Sequence, residues 1–273
     1  MRTVTFAMKR LLFTYATFLV TLALHSKVHA ARVTIEYVAQ ASTVTGQPFG
    51  LTVPRLTEVK GYMTYETNTV DLRPADSMRG DFVMAGTWDF RAEFLGKIVR
   101  GSGTAFASTN LFGSPTLRFN DGVKDNRAGI MSFDGIADAT IGLGFSISGQ
   151  AKDLPTDQLP VHFTFNPPPQ GASHTFALEN QTGTMLLQFI SFRQVFLKIH
   201  SLRRMGGNVE IVWSSVEGKR YELEFSTDLE HWTKIRTNLV GSPQSTTLID
   251  PIATRYSGNP PTKGFYRILD PPL

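Results

Sequence analysis

"DFVMAGTWDFRAEF", residues 81–94, decides the fold class of this chain. Phe82, Met84, Trp88, Phe90, Ala92 and Phe94 share one parity; Asp81, Thr87, Asp89, Arg91 and Glu93 share the other. A helix would space its apolar residues three and four apart, whereas alternation of this length is the period of a half-buried antiparallel strand. The pattern sends Trp88 into a core with the phenylalanines. It assigns Asp89 and Glu93 to a solvated strand face, where charged residues are routine.

Comparable runs lie on both sides: "VTIEYVA" (33–39), "EVKGYMTYET" (58–67), "IVRGSGTAFAST" (98–109), "ATIGLGFSIS" (139–148), "VHFTFN" (161–166), "SHTFALEN" (173–180) and "TMLLQFISFRQV" (184–195). Between them stand turn-forming clusters such as "RPADSMRG", "KDNRAG", "NPPPQG" and "ENQTG". No helical pattern of ten or more residues occurs beyond the N-terminal stretch. Many short strands joined by turns imply an all-β protein, with residues 31–195 forming a larger β-sandwich of jelly-roll type.

A second unit is expected over 196–273. In "NVEIVWS" Val209, Ile211 and Trp213 share a face; in "KRYELEF" Tyr221, Leu223 and Phe225 do. "VEGK" between them reads as a hairpin turn, and "STTLID" and "GFYRIL" supply later strands. Six or so short strands fit a small immunoglobulin-like or fibronectin-like sandwich. With almost no linker near 195–198, the two units should touch.

Trp232 falls outside these patterns. Thr227 and Glu230 have capping-box spacing, which predicts a helical turn with Leu229 and Trp232 on one face. Trp232 is then a lid on the sandwich core; the other reading is an exposed ring for stacking on a sugar or a peptide. Tyr256 is the second aromatic outside the alternation. These two are the candidate ligand-binding residues.

Residues 1–30 carry the three-part pattern of a secretory signal peptide: basic Arg2, Lys9 and Arg10, the apolar "LLFTYATFLVTLAL" (11–24), and small or β-branched Val28 and Ala30. The apolar stretch is shorter than the ~20 residues that span a bilayer. The leader holds four of the 27 Lys and Arg and no acid, so 23 basic residues face 23 acidic ones in the remainder. Such a balance offers no basic field to nucleic acid, which is excluded as a partner. No later segment reads as a membrane span. The chain has no cysteine, which excludes disulfides, thiolate metal sites and cysteine nucleophiles.

The C-terminal unit resembles a module found behind varied domains in secreted proteins of environmental bacteria. "VWSSVEGKRYELEFSTDLEHW", "TLIDP" (247–251) and "GFYRI" (264–268) carry the resemblance over about residues 197–270. It implies a fibronectin-like sandwich, secretion and an accessory role, and it carries no ligand residues. Residues 57–195 are more weakly similar to the β-rich domain of exported proteins with a Pro-Glu-Pro sorting tail, through "VKGYMTYETNTVDLRPADSMRG", "LRFNDG" and "DLPTDQLPVHFTFN". The end "FYRILDPPL" departs from that pattern, having no sorting motif.

The search for chemistry returns little. No Gly-x-Ser-x-Gly occurs, and past the leader only His162, His174, His200 and His231 remain, with no spacing that pairs them with a nucleophile. "NDGVKDN" (120–126) gathers Asp121 and Asp125 as calcium-type oxygens, but without a twelve-residue ligand loop it reads as a turn. No metal or cofactor is expected. The sequence therefore points to a non-catalytic protein, secreted or periplasmic, with a binding or scaffolding role toward an extracellular polysaccharide or protein. The alternatives are a polysaccharide-binding accessory protein and a secreted hydrolase with unfamiliar motifs.

Overall fold

The alternating runs pair with their neighbours in sequence. The computed structural model describes residues 32–67, 69–75, 78–110, 116–121, 130–148, 159 and 175–271. Its first sheet contains β1 (Arg32–Gly46), β2 (Glu58–Glu66), β3 (Arg79–Phe94), β4 (Lys97–Asn110), β5 (Thr116–Asp121), β6 (Ile130–Phe133), β7 (Ile136–Ala137), β8 (Gly142–Ser148), β9 (Thr175–Asn180) and β10 (Gly183–Val195). The order is β3-β2-β1-β10-β9-β8-β5-β4-β6-β7, and β3 also pairs with β4. That last pairing runs almost the full length of both strands, from Arg79↔Asn110 to Phe94↔Lys97. The sheet thus curls until it meets itself, in an antiparallel ring of β1, β2, β3, β4, β5, β8, β9 and β10. β6 and β7 form a hairpin beside Val99–Ser102 of β4.

The all-β expectation stands, and the jelly-roll connectivity over 31–195 is corrected. A jelly roll needs strands that cross between two packed sheets; here each ring strand lies beside its sequence neighbours, and β10 closes on β1. Both architectures put one face of each strand inside, so alternation alone does not separate them. Curvature comes from long strands with register breaks, at Val38/Ala39 and Ala41/Thr43 in β1 and between Met84 and Trp88 in β3. "VHFTFN" lies outside the described residues.

Side chains fill the ring. Trp88, Phe90, Ala92 and Phe94 of β3 are all buried with Val33, Ile35, Tyr37, Phe176, Met185 and Leu187. Trp88 stacks on Phe90 at 5.9 Å, and Tyr37 meets Phe176 at 5.2 Å and Phe189 at 5.6 Å. An eight-stranded barrel has an interior about wide enough to be filled this way. Gly61 permits one cross-link: Tyr37 donates its hydroxyl hydrogen to the Arg91 carbonyl at 2.9 Å. A Cβ on Gly61 would overlap that carbonyl oxygen.

Three residues after β10, a pair of three-stranded sheets begins. β11 (Ile199–Met205), β12 (Asn208–Ser215) and β15 (Gln244–Asp250) form one, in the order β11-β12-β15. β14 (Thr233–Val240), β13 (Arg220–Ser226) and β16 (Phe265–Leu269) form the other, and the short helix α1 (Ile252–Arg255) follows β15. Buried Ile211 and Trp213 from the first sheet meet buried Leu223 from the second. "VEGK" is therefore not a hairpin turn: it carries the chain from β12 in one sheet to β13 in the other. Gly218 has φ +75° in that turn, and the Lys219 N–H returns to the Val216 carbonyl at 3.1 Å, as a turn with a left-handed third residue requires.

Candidate functional site

The outer face of the barrel is regular where β10, β1, β2 and β3 lie side by side. Register places Val195, Thr34, Thr64 and Asp89 in one row, Arg193, Glu36, Tyr62 and Arg91 in the next, and Ser191, Val38, Lys60 and Glu93 in a third. The 216–219 turn sits on this grid with all four residues. Val216 packs with Tyr62 and Val195. Glu217 pairs with Lys60 at 3.4 Å. Gly218 lies over the Arg91 guanidinium, so close that a Cβ would stand 3.0 Å from Cζ. Lys219 descends between the strands.

Asp89 is thus not on a solvated face. It is 2 % exposed, and Arg91 beside it is 6 % exposed. Lys219, also 2 % exposed, donates from Nζ to Thr64 Oγ1 at 2.8 Å and to Asp89 Oδ2 at 3.2 Å. Its Nζ is also 3.1 Å from Asp270 Oδ1. The ammonium also stands 4.7 Å from the centre of the Tyr62 ring. Asp270, just past β16, is held from the other side by Arg32, whose Nη1 donates to the Asp270 carbonyl at 2.6 Å and whose Nε is 3.4 Å from Oδ2.

Electrostatics follow from this burial. Loss of water raises the Asp270 carboxyl above the usual carboxylate range; Lys219 and Arg32 oppose the rise, and neighbouring Asp89 adds to it. Burial also raises the Tyr62 phenol far above its ordinary value, helped by the Asp89 charge. Asp89 Oδ1 and Asp270 Oδ1 have no hydrogen-bond donor among the described residues.

Beside the cluster lies a cleft of ≈ 310 Å³. Val38, Phe192 and Val216 give it apolar wall, and Glu36, Lys60, Arg91, Arg193 and Glu217 give it charge. Glu36 is bound to Arg193 at 2.6 Å, and Arg91 Nη2 donates to Glu93 at 2.5 Å. The Arg91 side chain is only 8 % exposed, and its Nε has no acceptor among the described residues. An unpaired donor on a buried guanidinium is costly.

The two residues singled out from sequence lie elsewhere, and apart. Trp232 is half-buried; its Nε1 donates to the Leu229 carbonyl at 3.0 Å, and the Arg267 guanidinium covers its ring at 4.1 Å. Arg267 is in turn bound to Glu224 at 2.6 Å. The expected helical turn over 227–232 is absent. Ser226 Oγ accepts from the Asp228 and Leu229 N–H groups and Asp228 Oδ1 from those of Glu230 and His231, a chain of side-chain turns. Leu229 is left 55 % exposed and does not join Trp232 over the core. These N–H groups, His231 first, hold the Asp228 carboxyl well below the usual range.

Tyr256 is half-buried against Phe225 at 5.9 Å, with the Arg255 guanidinium 4.9 Å from its ring. Phe225 pairs with Tyr266, and Glu224 pairs with Arg267, so Tyr256 and Trp232 are on opposite faces of the same sheet. His162, His174 and Asp125 lie outside the described residues, and Asp121 ends β5. Among the described residues no group of three or more His, Asp and Glu gathers as metal ligands would, and no helix is long and apolar enough to cross a membrane.

Sequence reasoning missed Lys219, Asp270 and the role of Asp89 and Arg91. One signal was present: "VEGK" carries a lysine and a glutamate in a turn between two alternating runs. The chain matches no protein-family model, no curated protein and no solved structure.

Proposed function

We propose that this is a non-catalytic exported binding protein, and that the cleft between the barrel and the 216–217 turn takes an acidic segment of an extracellular protein. The observation that carries this reading is Arg91: a guanidinium that lines the cleft beside the apolar wall of Val38, Phe192 and Val216 and is bound by Glu93. A carboxylate takes such a donor with charge-assisted strength. The acids of the cleft, Glu36 and Glu217, are each bound to a cation, which favours recognition over proton transfer. Asp270 is sealed behind Lys219 and Arg32 and is not part of the cleft lining. Export rests on the 1–30 pattern. The reading of 196–273 as a fibronectin-like accessory module docked on 31–195 rests on the resemblance and on the sheet pairing.

The test is calorimetric titration of the exported chain with short glutamate-rich peptides, their glutamine counterparts, and soluble polysaccharides. Saturable binding of the acidic peptide is expected. It should weaken about tenfold, ~1.4 kcal/mol, in Arg91→Lys, which keeps the charge but loses the planar guanidinium fork, and stay unchanged in Trp232→Phe. Binding of a polysaccharide lost only in Trp232→Phe would move the site to Trp232 and make the protein a carbohydrate binder. Equal binding of the glutamine peptide would end the carboxylate reading.

A further inference from the structure

Lys219 is held in an unusual place for an ammonium. It comes from the second unit, crosses the junction and ends between two carboxylates on a surface closed by Tyr62, Val195 and Val216. Water is largely excluded: Lys219 and Asp89 side chains are each 2 % exposed and Asp270 is 9 % exposed. The ammonium hydrogen-bonds to one oxygen of Asp89, the other oxygen has no donor among the described residues, and neither has Asp270 Oδ1. Two carboxylates close together in a dry site destabilise one another, and the Asp89 charge adds to the upward pull of burial on the Asp270 carboxyl.

In water an amine and a carboxylate remain a salt. A dry site favours their neutral forms, and fixed contact replaces the bimolecular encounter with an effective concentration far above any solution value. Lys219 Nζ stands 3.2 Å from Asp89 Oδ2, and both side chains are 2 % exposed.

We propose that Lys219 and Asp89 join in an intramolecular amide that links the barrel to the second unit. Asp270 takes one proton from the Lys219 ammonium. The neutral Nζ attacks Cγ of Asp89 and the N–C bond forms. Asp270 returns its proton to the departing Asp89 oxygen, Nζ supplies the second, and the C–O bond breaks. One ammonium and one carboxylate become one amide and one water; no oxidant or cofactor is consumed, and Asp270 ends as it began. Burial supports that role, since it holds Asp270 above the usual carboxylate range. In a chain without cysteine, the amide supplies the covalent tie that a disulfide would otherwise give.

The test is mass spectrometry of the purified exported chain, with its N-terminus read from its own peptide. The expected intact mass is lower than the sequence mass by one water. A tryptic digest should hold peptide 80–91 joined to peptide 205–220, uncut after Lys219. Lys219→Arg and Asp89→Ala should show the full sequence mass and lose the joined peptide, and Asp270→Ala should form the link at least tenfold more slowly. Full sequence mass in the unmodified chain overturns the proposal, and needs no variant to fold. A link from Lys219 to Asp270 overturns the assignment to Asp89. A link formed at the same rate in Asp270→Ala removes the proton transfer through Asp270.

Discussion

Strand β3 is buried on both faces, and the two burials differ in kind. Its inner face, Phe82, Trp88, Phe90, Ala92 and Phe94, meets other apolar side chains inside the barrel. Its outer face, Asp89, Arg91 and Glu93, meets Lys219 and the 216–219 turn. The inner contact is non-directional and roughly proportional to area. The outer contact holds only while each charge keeps its partner, because a lone charge left in a dry site costs far more than the pair gains. One face can be repacked; the other must be matched.

The largest effects should separate the two faces by their pH response. Trp88→Ala should cost about 3–5 kcal/mol in urea unfolding, to the same extent across the acid and neutral range. Lys219→Met should cost a similar ~3–5 kcal/mol at neutral pH, but that cost should shrink in acid, where protonated Asp270 no longer needs a cation. Adding Asp89→Leu to Lys219→Met should recover most of the loss; no second change at the ion cluster should rescue Trp88→Ala. Equal pH profiles for the two single variants would erase the distinction.

Gly61→Ala probes both faces at once, because its new Cβ overlaps the Arg91 carbonyl under the Tyr37 hydroxyl. Thermal unfolding should register about 1–3 kcal/mol of overpacking. Trp232→Leu should cost only ~0.5–1 kcal/mol, the worth of an exposed cation–π contact with Arg267; a loss as large as that of Trp88→Ala would restore Trp232 as a core lid.

The smallest effect is a slope. The Asp270 carboxyl titrates higher in the folded chain than in the unfolded one. Its contribution is therefore complete below the unfolded value and declines as pH rises through the folded one. Asp270→Asn should flatten that part of the stability–pH curve, and an unchanged slope would show that another group is responsible.

The inner face was legible in the sequence and the outer face was not, for one reason. Parity is local: it states that Trp88 and Asp89 point to opposite sides, and apolar residues identify the inner side. What covers the outer side comes from 130 residues further on, at Lys219, and from Asp270. Nothing within a strand's own period reports a partner at that separation. The same limit hid barrel closure, since the β1–β10 and β3–β4 pairings do not change the alternation of any strand. Trp232 failed differently. Its Thr-x-x-Glu spacing predicts a cap, but Ser226 and Asp228 satisfy the Leu229 and Glu230 N–H groups without a helix.

The Arg32–Asp270 contact has a mechanical meaning. Arg32 opens the first strand and Asp270 follows the last, so chain entering the fold and chain leaving it meet at one clamp, 2.6 Å from guanidinium to carbonyl. Tension applied through the two ends falls on that clamp before it reaches the barrel's strand ladders. The same proximity means that the ends could be spliced by a short linker and the chain reopened in a surface turn. A circular permutant of that kind keeps every strand pairing while moving the point at which a pull is felt.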